Sequence, residues 1–119
     1  MARIMIADDS SATRMVLRES LRMGDHELVA EARDGVEAIE KFNAIQPDVL
    51  LLDISMPEKD GISVLREIMS TNHEAKIIMI TADETFSTIH QSTVEKAQAY
   101  IMKPFNSGDV LNAITMALN

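Results

Sequence analysis

The stretch Asp48-Val49-Leu50-Leu51-Leu52-Asp53-Ile54-Ser55-Met56-Pro57-Glu58-Lys59-Asp60-Gly61 decides how the chain is read. Four consecutive apolar residues run straight into the carboxylate of Asp53. Pro57 follows four residues later, and Gly61 opens another apolar segment. A short continuous apolar run bounded by turn formers reads as a strand buried on both faces. A buried strand that ends in an acid delivers that acid to the rim of a sheet. In open α/β sheets the carboxyl ends of the strands are where sites are built.

On either side of this stretch the chain alternates between the strand and helix periods. Arg3–Ala7 is a short apolar strand. Ser10 or Ser11 can cap the helix that follows, because a serine hydroxyl accepts from the free N–H groups of a first turn. Val16, Leu17 and Leu21 give that helix a core stripe, and Gly24 stops it. Glu27–Ala32 alternates, with Leu28 and Ala30 on one face, and Asp34-Gly35 is a turn signal. A second helix is predicted over 36–45 with Ile39 and Phe42 inward, then a third strand over 48–53. A third helix over 62–70 turns Ile62, Leu65, Ile68 and Met69 inward, and a fourth strand occupies 76–81. A polar helix is expected over 84–95, with only Phe86, Ile89 and Val94 as apolar anchors. A fifth strand over 97–102 ends at Lys103-Pro104. A last helix over 107–118 carries Val110, Leu111, Ile114 and Leu118. Five strands alternating with five helices imply one parallel sheet with helices on both faces, since each parallel connection needs a crossover.

Composition narrows the function classes. A chain of 119 residues is expected to form one domain, 1–119, with a single sizeable core. Asp and Glu outnumber Lys and Arg by 19 to 11, a net charge of −8. That balance argues against nucleic acid and against an anionic membrane surface, both of which want a basic face. The apolar runs are too short to span a bilayer, and Asp8-Asp9 interrupts the first of them, so no secretory signal is read. With no cysteine there are no disulfides, thiolate metal sites or thiol nucleophiles. The cytoplasm is the simplest compartment.

Four strands end on a residue that can do chemistry: Asp8-Asp9, Asp53, Thr81 and Lys103. In a parallel sheet these ends share one edge. Three clustered carboxylates repel one another and call for a cation. A donor set of oxygens alone suits Mg²⁺ or a similar hard divalent ion. Lys103 can hold an anion and Thr81 can donate a hydrogen bond to one. Together they equip Asp53 to take a phosphoryl group in line. Each piece has a plainer reading when taken alone. Asp8-Asp9 can be an acidic helix cap, Asp53 an N-cap, Thr81 a strand end, Lys103 a solvated loop lysine and Tyr100 a half-buried strand residue. His26, His73 and His90 show no ligand spacing and are read as surface residues. The nine methionines are read as core filler, with Met5, Met79 and Met102 internal.

The chain resembles the response-regulator receiver domains of two-component signalling, along its whole length. The resemblance is carried by the acidic pair in IADDS, by LLLDISMPEKDG, by MITA, by YIMKPF and by ARDGVEAI. The intervals agree as well: 45 residues from Asp8 to Asp53, and 22 from Thr81 to Lys103. The resemblance implies a flavodoxin-like (βα)5 three-layer sandwich whose parallel five-stranded sheet runs in the order 2-1-3-4-5.

It also implies roles. Asp53 is the expected phosphoacceptor from a sensor histidine kinase or a small phosphodonor. Asp9, Asp53 and the Ser55 backbone carbonyl are expected to bind Mg²⁺, with Asp8 acting mostly through water. Lys103 is expected to contact the phosphate, ahead of a cis peptide to Pro104. Thr81 and Tyr100 are the expected switch pair, and the predicted helix over 84–95, the fifth strand and the last helix the expected output face. Ser55 and Asp83 occupy positions that tune phosphate lifetime in such domains. One departure is Lys96-Ala97, where the family often carries Gly-Ala.

The resulting expectation is a stand-alone, monomeric switch without an output domain. Its only catalysis would be its own phosphorylation and dephosphorylation. A chemotaxis- or motility-type regulator is preferred, signalling to an effector such as a motor component. The alternatives are a phosphorelay intermediate that passes phosphate to a second histidine phosphotransfer protein, or the receiver of a larger regulator. A phosphatase of the haloacid dehalogenase type would want a second Asp two residues after Asp53, where Ser55 stands, and a cap insertion. A degenerate docking module is disfavoured by the intact set of site residues.

Overall fold

The computed structural model describes residues 1–82 and 97–119. Its elements are β1 (Arg3–Ala7), α1 (Ser11–Met23), β2 (Glu27–Ala32), α2 (Gly35–Ile45), β3 (Val49–Asp53), α3 (Gly61–Thr71), β4 (Ile77–Thr81), β5 (Ala99–Met102) and α4 (Ser107–Leu118). The helix expected over 84–95, with Phe86, Ile89, Val94 and His90, lies outside the described residues. So do Asp83 and Lys96.

All strand pairs are parallel and the sheet order is β2-β1-β3-β4-β5, a flavodoxin-like arrangement. β3 is central and every one of its residues is buried. The missing alternation in its sequence follows from its two covered faces. Leu50 and Leu52 join Met5, Ala7, Ile77 and Met79 against Phe42 of α2 and Val64, Leu65 and Ile68 of α3. Val49 and Leu51 join Ile4, Ile6, Ile78 and Ile80 against Leu17 and Leu21 of α1 and Val110, Ala113 and Ile114 of α4. Successive side chains of a strand point to opposite faces, so one apolar run feeds two cores and makes three layers. Burying a Leu, Ile or Phe side chain contributes roughly 1.5–3 kcal/mol, and both layers depend on β3 for it.

The helix starts follow local chemistry. Ser10 caps α1, its hydroxyl accepting from the Thr13 N–H. Asp34 caps α2 and Asp60 caps α3, accepting from the Glu37 and Ser63 N–H groups. Asn106 and Asp109 form a reciprocal capping box at α4.

Several inward assignments are corrected. Val16 is exposed, and the buried stripe of α1 is Leu17, Ser20 and Leu21. Ser20 can sit inside because its hydroxyl donates to the Val16 carbonyl and shares a hydrogen bond with the Ser107 hydroxyl. On α4 the buried residues are Val110, Ala113, Ile114 and Ala117, with Leu111 half-buried and Leu118 exposed. Ala113 and Ala117 belong to the face of α4 that is buried against the sheet, with the larger Leu111 and Leu118 off it. Met5 and Met79 are internal as expected, but Met102 is exposed, as are Met1, Met15, Met23 and Met116. Met102 follows the parity of Tyr100 on β5, where burial alternates.

Candidate functional site

The carboxyl ends of β1, β3, β4 and β5 converge on one edge. Asp8 follows β1 directly and is fully buried. Its N–H donates to the Ala32 carbonyl at 3.0 Å, and its Oδ1 accepts from the Ser10 N–H at 2.8 Å. Asp9, the next residue, is exposed. Asp53 closes β3 and is only 4% exposed. One carboxylate oxygen from each of Asp8, Asp9 and Asp53 lies within 4.8 Å of the others.

Lys103 enters from the end of β5. Its Nζ stands 3.5 Å from Asp53 Oδ1 and 3.9 Å from Asp8 Oδ2. The Lys103 N–H donates to the Thr81 carbonyl at 2.7 Å, which ties the ends of β4 and β5 together. The Lys103–Pro104 peptide is cis. Thr81 is buried at the end of β4, one strand from Asp53. Ser55 lies two residues beyond Asp53 and borders a concavity with Asp9, Met56, Pro57 and Asp60. Tyr100 is placed differently. It pairs in register with Met79, two residues before Thr81, and its side chain is 47% exposed.

Local sequence explains how closely the loop after β3 is folded back. The Gly61 N–H donates to the Ile54 carbonyl at 2.8 Å, and a Cβ on Gly61 would stand 2.2 Å from the Asp53 carbonyl oxygen. Only glycine allows α3 to start against the backbone of Asp53. Gly35 is set in the same way, with the Lys59 carbonyl oxygen 1.9 Å from where its Cβ would be.

Burial pushes the Asp53 carboxyl up to about 6, helped by the charge of Asp8 and opposed by Lys103 and the Ser55 N–H. Burial also raises the Asp8 carboxyl, against the Ser10 N–H and Lys103. Asp8 Oδ2 is buried and, among the described residues, has no hydrogen-bond partner. Among the described residues three carboxylates face one ammonium, which leaves uncompensated negative charge and one oxygen without a donor. This all-oxygen set fits a hard divalent cation such as Mg²⁺.

Some residues around the site carry no signal in the sequence analysis. Arg14 donates through Nη1 to the Asp8 carbonyl at 2.6 Å and pairs through Nε with Glu31 at 3.1 Å. Nothing in the spacing of residues 14 and 31 announces that pair. His26 is half-buried and accepts at Nδ1 from the Ala2 N–H at 3.1 Å, so it has a structural role that a surface reading misses.

Comparison with known proteins agrees with this geometry. The family model of the response regulator receiver domain matches residues 4–115. The chemotaxis protein CheY of Bacillus subtilis (strain 168) is 40% identical over 117 residues, covering 98% of each chain. Among solved structures, the response regulator protein TrrA from Thermotoga maritima, in complex with Mg²⁺ and BeF, superposes with a TM-score of 0.90. It is 32% identical, and the match covers 99% of this chain and 100% of that one. The CheX–CheY–BeF3–Mg²⁺ complex from Borrelia burgdorferi contains a chain that superposes with a TM-score of 0.90 at 30% identity, over 98% of this chain and 89% of that chain. Among the described residues no helix is long and apolar enough to cross a membrane.

Proposed function

Because this chain belongs to the response regulator receiver family of two-component systems, with CheY-type chemotaxis proteins among its relatives, we propose that it is a phosphorylatable switch whose acceptor is Asp53. The observation that carries this reading is the gathering of Asp8, Asp9 and Asp53 around one point with Lys103 beside them. A structural cap would not need a second buried acid and an ammonium.

The proposed donor is the phosphohistidine of a sensor histidine kinase, or a small phosphodonor. An Asp53 carboxylate oxygen attacks phosphorus, the phosphorus–nitrogen bond breaks, and the histidine nitrogen leaves with its electron pair. Asp53 must be ionised to attack, and Lys103 favours that form against the burial that opposes it. Asp9, Asp53 and the Ser55 carbonyl would hold Mg²⁺, with Asp8 behind them through water. When bound, Mg²⁺ neutralises the transferring oxygens and the clustered acids. Lys103 stays on the phosphoryl group, and Thr81 donates to it from the end of β4. Movement of Thr81 would be matched by inward rotation of Tyr100, which is exposed in this conformation. A switch of this kind needs two packings only a few kcal/mol apart.

The face formed by the segment before β5, β5 itself and α4 would carry the output to an effector of the chemotaxis or motility machinery. The CheX–CheY complex from Borrelia burgdorferi supports docking to a partner protein, since there a CheY is in complex with a second protein. The cytoplasm and a monomeric state go with this reading. Incubation with labelled acetyl phosphate tests it. Mg²⁺-dependent uptake of a single phosphoryl group per chain, followed by slow self-dephosphorylation, is expected. Sustained turnover of a small phosphate ester without a trapped acyl phosphate would instead indicate a phosphatase.

A further inference from the structure

A charged network stands directly behind the acidic pair. Asp8 is held at its N–H by the Ala32 carbonyl and at its carbonyl by Arg14 Nη1, at 3.0 and 2.6 Å. The Arg14 side chain is only 14% exposed, and its Nε pairs with Glu31 Oε1 at 3.1 Å. Glu31 is itself fixed. Its carboxylate receives Arg18 Nη1 at 3.1 and 3.0 Å, and its carbonyl receives Lys41 Nζ at 2.6 Å. Glu31 also precedes Ala32, the residue that takes the Asp8 N–H. The guanidinium therefore closes a loop from the end of β1, through α1, to β2. The Asp8 carbonyl and the Asp9 N–H belong to one planar peptide unit. Fixing that carbonyl fixes the plane from which the exposed Asp9 side chain departs.

We propose that Arg14, clamped by Glu31, is a positioning residue that sets the Mg²⁺ affinity of the site by holding the Asp8–Asp9 peptide. This rests on the reading of the acidic cluster as a Mg²⁺ site. Charge and positioning predict opposite signs. By Coulomb's law alone, removing a guanidinium near a cation site should tighten Mg²⁺ binding. Loss of the clamp should weaken it, as the loss of outer-shell partners of metal ligands generally does.

Calorimetric Mg²⁺ titration of the unmodified protein and of Arg14→Met, Arg14→Lys and Glu31→Gln decides between them. Arg14→Met is expected to raise the Kd about tenfold. Arg14→Lys keeps the charge but cannot hold both partners, and is expected to raise the Kd by less than Arg14→Met does. Glu31→Gln keeps the shape and weakens the clamp, so its Kd also rises. The double variant Arg14→Met/Glu31→Gln should be no worse than Arg14→Met, since both act through one contact. In phosphorylation by acetyl phosphate, the half-saturating Mg²⁺ should rise by the same factor, with the rate at saturating Mg²⁺ within about twofold. An unchanged or tighter Kd in Arg14→Met overturns the inference. So does a lowered plateau with unchanged half-saturation. If Arg14→Met does not fold, an unchanged Kd in Arg14→Lys, which keeps the charge, overturns it equally. Failure of the unmodified protein to bind Mg²⁺ at millimolar concentration removes the Mg²⁺ site itself, and is distinct from these results.

Discussion

Lys103 Nζ reaches Asp53 Oδ1 at 3.5 Å, across 50 residues of chain, while standing 3.9 Å from Asp8 Oδ2. Charge-assisted N–H···O bonds are usually about 2.7–2.9 Å, so the ammonium acts as a point charge shared between two buried acids. One positive charge cannot satisfy both. The metal-free site therefore holds unrelieved repulsion, and its consequences can be measured.

Mg²⁺ should stabilise the folded chain. A cation that binds the folded state alone adds RT ln(1 + [L]/Kd), about 1.4 kcal/mol at ten times Kd. Thermal melts with millimolar Mg²⁺ are expected to show a higher Tm, and Asp9→Asn should reduce the shift. An unchanged Tm across the titration would contradict a metal site built on Asp8, Asp9 and Asp53.

The raised pKa of Asp53 gives a pH dependence of definite sign. Its folded value of about 6 exceeds the ordinary value of 3.8. The folded state therefore binds the proton more tightly than the unfolded chain does. The stabilisation is complete below about pH 3.8 and is lost as pH rises through about 6. Each pKa unit is worth about 1.4 kcal/mol, so the loss is about 2–3 kcal/mol. Asp53→Asn should abolish this part of the slope and raise the neutral-pH stability of the metal-free protein by a similar amount. Denaturant melts at pH 4.5 and 7.5 in EDTA read both effects. A variant less stable than the unmodified protein at pH 7.5 would contradict a cost for burying the Asp53 charge beside Asp8.

Lys103→Met should act in the other direction. It removes the one ammonium shared by Asp8 and Asp53, leaving buried acids uncompensated. The side chain is 26% exposed, so the cost falls below that of a fully buried pair, at about 1–3 kcal/mol. The loss should shrink at pH 4.5, where Asp53 is protonated. Equal losses at both pH values would point to packing rather than charge.

Gly61→Ala tests the close approach of α3 to Asp53. Alanine favours a helix over glycine by about 1 kcal/mol. Its Cβ, however, would stand 2.2 Å from the Asp53 carbonyl oxygen, and overpacking against backbone costs about 1–3 kcal/mol. The steric term should win, giving a net loss measurable by denaturant unfolding, along with slower phosphorylation. A more stable Gly61→Ala would show that the loop relaxes freely.

Much of this was legible in the sequence because the signals are local. Val49–Leu52 could be assigned to a strand covered on both faces without knowing what covers it. The acids at 8, 9 and 53 and Lys103 could be assigned to strand ends, which a parallel sheet must bring to one edge. What the sequence hid depends on contacts between distant segments. Ser20 is buried on α1, where its hydroxyl meets that of Ser107, far along the chain, while Val16 is exposed. Met102 points outward because β5 alternates at this edge of the sheet, and hydrophobicity alone does not force a side chain inside. The Arg14–Glu31 clamp joins two elements whose pairing no periodicity encodes.

Whether Asp53 is the phosphoacceptor is decided by locating the phosphoryl group after reaction with acetyl phosphate and Mg²⁺, by intact mass and peptide mapping of the unmodified protein and of Asp53→Asn. A single phosphoryl group, labile to base and released by hydroxylamine, on the peptide containing Asp53, absent from Asp53→Asn and from samples in EDTA, is the result predicted. Equal incorporation in Asp53→Asn, or a phosphoryl group mapped to another residue of the unmodified protein, would contradict it.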